Sequence, residues 1–98
     1  MADVDFHPAA FREYAAAAEW YRERNPDAAR RFVAEIESIR SRIASRPDWY
    51  AWYDDDFREA VLLHFPFSVV FRTDTHGVSL IVAVAHASRE PGYWEARN

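Results

Sequence analysis

His86 is the side chain best suited to acid–base chemistry, because an imidazole gains and loses its proton near neutral pH. It closes an apolar run, residues 78–86, that is typical of a buried β-strand. The sequence allows it to act there as a general acid or base. A histidine at the end of a buried strand also commonly hydrogen-bonds a neighbouring backbone group, and both roles stay open.

The basic residues are all arginine. The chain has 12 of them and no lysine among 98 residues, against 16 acidic residues, so its net charge is −4. Each guanidinium offers a planar fork of donors that suits phosphate and carboxylate groups, although biased base composition would also produce this usage. Because nucleic-acid binders are usually basic, any contact with RNA or DNA has to be local.

Asp54, Asp55 and Asp56 form an acidic run. Together with a histidine they could in principle hold a divalent metal, but consecutive aspartates cannot all face one ion without unusual backbone geometry. A solvated turn, or a docking point for a basic partner helix, explains them more simply. With two glycines and no cysteine, the chain also lacks a glycine-rich phosphate loop and thiolate chemistry. We therefore expect no metal and no cofactor.

Two amphipathic helices are predicted to position these residues. The first opens at Pro8 and runs to about Arg24, Asn25-Pro26-Asp27 forms the joint, and Pro47 limits the second. So short a connector predicts an antiparallel hairpin. The predicted core positions are Phe11, Tyr14, Ala15, Ala18 and Tyr21 in the first helix, and Ala29, Phe32, Val33, Ile36, Ile39 and Ile43 in the second.

Strands are predicted on both sides of the hairpin. A short strand at residues 3–6 precedes it, and residues 57–64, 67–72 and 78–86 follow it, whereas residues 48–56 form an aromatic loop without a sustained period. The last strand is apolar on both faces, which favours a central position in the sheet. Its predicted faces are Val78, Leu80, Val82 and Val84 on one side and Ile81, Ala83 and Ala85 on the other.

The order of elements, strand-helix-helix-strand-strand-strand, predicts one α+β domain over residues 1–98. In it the helix hairpin packs on a mainly antiparallel sheet of about four strands. This order resembles the RelE/ParE toxin superfamily, and so do several local motifs. They are Phe6-His7-Pro8-Ala9, Asn25-Pro26, Arg58, Phe65-Pro66-Phe67 and the ending from Ala83 to Trp94.

The resemblance covers nearly the whole chain. It implies the toxin of a type II toxin–antitoxin module, a plasmid stabilisation toxin neutralised by a cognate antitoxin with which it could form an oligomer. Activity differs between branches of the superfamily: RelE-like members cleave mRNA in the ribosomal A site without a metal, and ParE-like members inhibit DNA gyrase. A non-toxic interaction protein of the same fold is a third reading.

Two residues match functional positions of the superfamily. Arg58 matches the strand arginine that faces the scissile phosphate in RelE-like nucleases, and Tyr93 matches a tail tyrosine beside the nucleophilic hydroxyl. With His86 they form the candidate catalytic set, while Arg89 and Arg72 are candidates for binding phosphate or a target. Each also has a structural reading: a salt bridge for Arg58, and packing of the tail for Tyr93.

Departures from the nuclease pattern slightly favour one branch. The acidic run stands where RelE-like ribonucleases place basic catalytic residues, and Ala87 stands where a further arginine is expected. Carboxylates repel phosphate and oppose docking on ribosomal RNA. ParE-like growth inhibition is therefore favoured over ribosome-dependent mRNA cleavage. The absence of cysteine, of a signal segment and of a membrane-spanning run predicts a soluble, cytoplasmic protein.

Overall fold

Helix α1 (Pro8–Arg24) has the limits predicted from its sequence in the computed structural model, which describes residues 4–97. Proline loses no hydrogen bond at the first helical position, where its missing N–H would be unpaired. His7 caps the helix, since its Nδ1 accepts the Ala9 N–H at 3.0 Å. No helix within residues 4–97 is long and apolar enough to cross a membrane.

Asn25 ends α1 and starts helix α2 (Pro26–Ser45). Its backbone N–H donates to the Tyr21 carbonyl at 2.6 Å, and its side-chain Oδ1 accepts the N–H groups of Asp27 and Ala28 at 3.1 and 3.2 Å. One residue therefore satisfies backbone groups of both helices, which removes the need for a longer loop. The antiparallel hairpin is confirmed.

Within residues 4–97 the helices pack on one five-stranded sheet in the order β1-β5-β4-β3-β2, in which only the β1–β5 pair is parallel. The strands are β1 (Asp5–Phe6), β2 (Ala51–Trp52), β3 (Arg58–Val61), β4 (Phe67–Thr73) and β5 (Ser79–His86). The α+β architecture is confirmed, with one strand more than expected. That strand, β2, lies within the tract predicted to be a loop, since two residues are too few to show a period. Residue 3 of the predicted first strand lies outside the described residues.

Strand β5 lies between β1 and β4, as its two apolar faces predicted. The assignment of its faces was wrong beyond Val82. In the register with β4, Val70 pairs with Ala83 and Phe71 pairs with Ile81, so Val82 is an extra residue in a β-bulge. The bulge reverses the alternation, and Val84 therefore faces the same side as Ile81.

Each face of the sheet carries its own apolar cluster. The larger lies under the helices and includes Phe32, Phe71 and Ile81; the smaller, on the opposite face, is closed by Trp94, which is 3% exposed. The core positions of α2 are confirmed except Val33. In α1 the predicted stripe was placed too far to one side, because a run of four alanines has no period that could locate its edge. The predicted core positions that are exposed instead are Phe11 and Ala15 in α1 and Val33 in α2.

Replacing Asn25 with alanine should lower the free energy of unfolding by about 1 kcal/mol, because two N–H groups at the start of α2 lose their acceptor. Urea denaturation measures the change. Asn25→Asp retains the acceptor and serves as the matched control, which should unfold close to the wild-type midpoint. Equal stability of all three proteins would show that the cap contributes nothing.

Candidate functional site

An open groove of about 660 Å³ lies where α1 crosses the ends of β4 and β5, and we call it the α1 groove. Its lining is mostly apolar, while three exposed residues (Trp20, His86 and Arg89) bring an indole, an imidazole and a guanidinium to it. The remaining lining residues are Glu13, Ala16, Ala17, Tyr21, Pro66, Phe67, Val84 and Ser88. Two of the predicted site residues, His86 and Arg89, therefore share one surface.

His86 makes the backbone contact that the sequence left open. Its Nδ1 accepts the Ser88 N–H at 3.0 Å and lies 2.8 Å from the Ser88 Oγ, and its ring packs edge-on against Phe67 with centroids 5.0 Å apart. Because Nδ1 is an acceptor, the proton of the neutral ring sits on Nε2. Nε2 is thus the nitrogen left for any contact outside this turn.

Tyr93 is contacted by two guanidinium groups. Arg89 lies 3.9 Å and Arg97 5.0 Å from the centre of its ring. Burial of the hydroxyl, together with the nearby Glu13 carboxylate, raises the pKa of Tyr93 to about 12. Tyr93 therefore keeps its proton at neutral pH and orders the two arginines beside it.

Glu13 and Arg97 form a bidentate ion pair that closes the free edge of β5. The two nitrogen–oxygen distances are 3.0 and 3.1 Å, and the side chains are only 16% and 20% exposed. Glu13 also accepts the Val84 N–H at 3.0 Å, and Arg97 donates to the Val82 carbonyl at 2.9 Å. Because β1 stops opposite Ile81, no strand in the described part of the chain pairs with these backbone groups. The sequence carries no local signal for this pair, which spans 84 positions.

Arg58 lies towards the other end of the sheet. Its guanidinium donates to the Tyr50 carbonyl at 2.5 Å and stacks 3.8 Å from the centre of the Trp52 ring. Arg58 pairs with Phe71 of β4, whereas His86 pairs with Phe67 of the same strand. Phe67 lies four residues, or about 13 Å, from Phe71 along β4. The structure therefore does not bring Arg58 to the α1 groove.

Arg72 faces the side of the sheet away from the helices. It lines a polar pocket of about 500 Å³ with Asp54, Asp56 and Arg97, among others. The Asp54 Oδ1 accepts the N–H groups of Asp56 and Phe57 at 2.8 and 2.9 Å, so the acidic run is a turn held by its own side chain. Within residues 4–97 no three histidine or carboxylate side chains are grouped to hold a metal ion.

The family model described as "ParE toxin of type II toxin-antitoxin system, parDE" matches residues 4–91. The chain belongs to the ParE toxin family. It is the toxin component of a type II system, as its motifs implied. No curated protein matches it.

A solved structure has the same fold as this ParE toxin. It is titled "Chromosomal ParDE TA system from P. aeruginosa" and is 18% identical, with a TM-score of 0.74 over 90% of this chain and 98% of that chain. At this identity the likeness shows the fold alone. It does not show which residues of this ParE toxin act on a target.

Replacing Glu13 with alanine should destabilise the toxin by about 3 kcal/mol, because Arg97 would keep a mostly buried charge without a partner. Glu23→Ala, an exposed change on the same helix, should stay within about 0.5 kcal/mol of wild type. A double-mutant cycle with Arg97→Ala isolates the pair. Additive losses in that cycle would mean that the two side chains are not coupled.

Stability should fall as pH rises from about 10 towards 12. The folded state holds the Tyr93 proton more tightly than the unfolded chain does. The contribution of this proton to the free energy of unfolding is therefore complete below the unfolded pKa and is lost as pH approaches the folded pKa. Tyr93→Phe should make this fall shallower; Tyr14 and Tyr21, whose pKa values burial also raises, contribute to the part that remains. Urea midpoints of the wild type and Tyr93→Phe, measured between pH 10 and 12, test this prediction. Identical midpoints of the two proteins across that range would contradict a role of Tyr93 in the fall.

Proposed function

We propose that this ParE toxin stops growth by binding a protein target through the α1 groove, that the target is DNA gyrase, and that a cognate antitoxin neutralises it. The observation that carries the proposal is Trp20, which is 52% exposed beside the apolar lining of the groove. The Arg24 guanidinium lies 3.9 Å from the centre of its ring and restricts its orientation. Rigid, exposed tryptophans of this kind are enriched among residues that dominate protein–protein affinity.

The position of Arg58 supports protein binding over RNA cleavage. Cleavage requires a group that stabilises the charge on the phosphate close to the acid and base. Arg58 is instead held by the carbonyl of Tyr50 and the ring of Trp52, remote from His86. Its donors therefore stabilise the segment that includes β2.

A ribosome-dependent mRNA endonuclease is the second candidate. It is favoured by one corner of the α1 groove, where Arg89 lies against Tyr93 and also lines the groove with His86. In that mechanism the Nε2 of His86 would take the proton of the 2′-hydroxyl or give a proton to the leaving oxygen. Arg89 would hold the phosphate, and no metal would take part. Either target lies in the cytoplasm, where the toxin would then act.

Pulse-labelling of new DNA and new protein, minutes after the toxin is induced without its neighbouring gene, distinguishes these functions. We expect DNA synthesis to fall first and the purified toxin to inhibit supercoiling by gyrase. Trp20→Ala should raise the toxin concentration needed for inhibition by about tenfold or more, because it removes the proposed anchor. Trp49→Ala, which removes an indole that is 68% exposed outside the groove, is the matched control and should leave inhibition unchanged.

Earlier loss of protein synthesis, abolished by His86→Ala, would replace gyrase inhibition with mRNA cleavage. Loss of neither synthesis would leave the third reading, a non-toxic interaction protein. Equal effects of Trp20→Ala and Trp49→Ala would remove the α1 groove from the mechanism, whichever synthesis stops first.

A further inference from the structure

A second groove lies along the other helix, between α2 and the turn that follows β3. Its volume is about 730 Å³, and we call it the α2 groove. One stripe of α2 lines it, because Arg31, Glu35, Ser38 and Arg42 recur at spacings of four, three and four residues. The turn contributes Leu63, His64 and Phe65.

The two arginines of the α2 groove carry its uncompensated charge. Neither Arg31 nor Arg42 forms a salt bridge with a carboxylate of residues 4–97; Arg42 donates to the Ser38 Oγ at 3.1 Å. Glu35 is the one carboxylate that lines the groove. One of its oxygens accepts the Leu63 N–H, and the other, which has no hydrogen-bond partner among residues 4–97, lies 3.4 Å from the His64 Nδ1. The groove is therefore locally positive on a chain whose net charge is −4.

An exposed apolar side chain adjoins this positive charge. Leu63, in the turn after β3, lines the groove and is 85% exposed. Among residues 4–97, β2 pairs only with Arg58 and Glu59, so the second half of β3 is a free sheet edge. A free edge with apolar side chains is a template for an extended segment of another chain.

We infer that the α2 groove binds an acidic, partly apolar segment of the cognate antitoxin. This inference rests on the proposed function, in which the α1 groove is left to the target. Arg31 and Arg42 are eleven residues apart, or about 16 Å along the helix axis. An extended peptide that spans this distance places two carboxylates about five residues apart, with room between them for an apolar residue against Leu63.

Nucleic acid fits the α2 groove less well than such a peptide. A nucleic-acid strand carries a phosphate at every nucleotide, which in a duplex is one for about every 3.4 Å of helix axis, so its charges would also fall opposite Glu35 between the two arginines. Its backbone offers no aliphatic side chain to Leu63. Widely spaced carboxylates with an apolar residue between them match both features.

The test measures the affinity of purified toxin for the full-length protein encoded by the neighbouring gene. Arg31→Glu/Arg42→Glu should weaken binding about tenfold to a hundredfold and reduce its salt dependence, because like charges then face each other. Arg12→Glu/Arg30→Glu makes the same change in net charge at exposed helix positions outside the groove and should bind as wild type. Arg31→Gln/Arg42→Gln, with a smaller loss, serves if charge reversal prevents folding.

Growth inhibition by the same variants separates this inference from the proposed function. The groove variants should stay toxic and escape the co-expressed antitoxin. Unchanged antitoxin affinity would overturn the inference, and so would loss of toxicity with affinity intact, which would assign the groove to the target. Binding of a single-stranded oligonucleotide that the reversal abolishes, with antitoxin affinity unchanged, would assign it to nucleic acid. A wild-type toxin that inhibits neither synthesis would refute the proposed function, while the affinity measurement would still decide the inference.

Discussion

The ion pair between Glu13 and Arg97 is the constraint on which both faces of the sheet depend. It joins α1 to the tail and satisfies the Val84 N–H and the Val82 carbonyl, which no strand pairs with. Without it, the bulged edge of β5 would leave backbone groups without partners in a mostly buried place, at a cost of about 1–3 kcal/mol for each. The tail that it anchors also brings Trp94 against the second apolar cluster.

The bulge at Val82 explains why so narrow a sheet has two closed faces. It turns Ile81 and Val84 towards the helices and leaves Ala83 and Ala85 against Trp94. Trp94 covers this second face together with Tyr53 and Tyr93. The two grooves then lie on either side of the turn between β3 and β4, one along each helix, so that partners of different chemistry need not compete for one surface.

Local signals in the sequence predicted the two helices and the longer strands. Features that depend on contacts between residues far apart in the chain could not be predicted from such signals. Proline and asparagine mark helix ends through their own backbone chemistry, so both helices have the predicted limits. Strand β2 exists because Arg58 stacks on Trp52 and binds the carbonyl of Tyr50, which only the folded sheet brings about. Of the predicted site residues, His86 and Arg89 share a groove and Arg58 and Arg72 lie elsewhere, whereas the sequence contains no signal for Glu13.

The separation of Glu13 and Arg97 along the chain also sets an order of events during translation. Helices α1 and α2 can pack as soon as they leave the ribosome, because every residue of the hairpin is already present. The second face of the sheet stays uncovered until Trp94 and Arg97 have been synthesised. The second apolar face of a nascent toxin therefore stays open to solvent after the helix hairpin has formed.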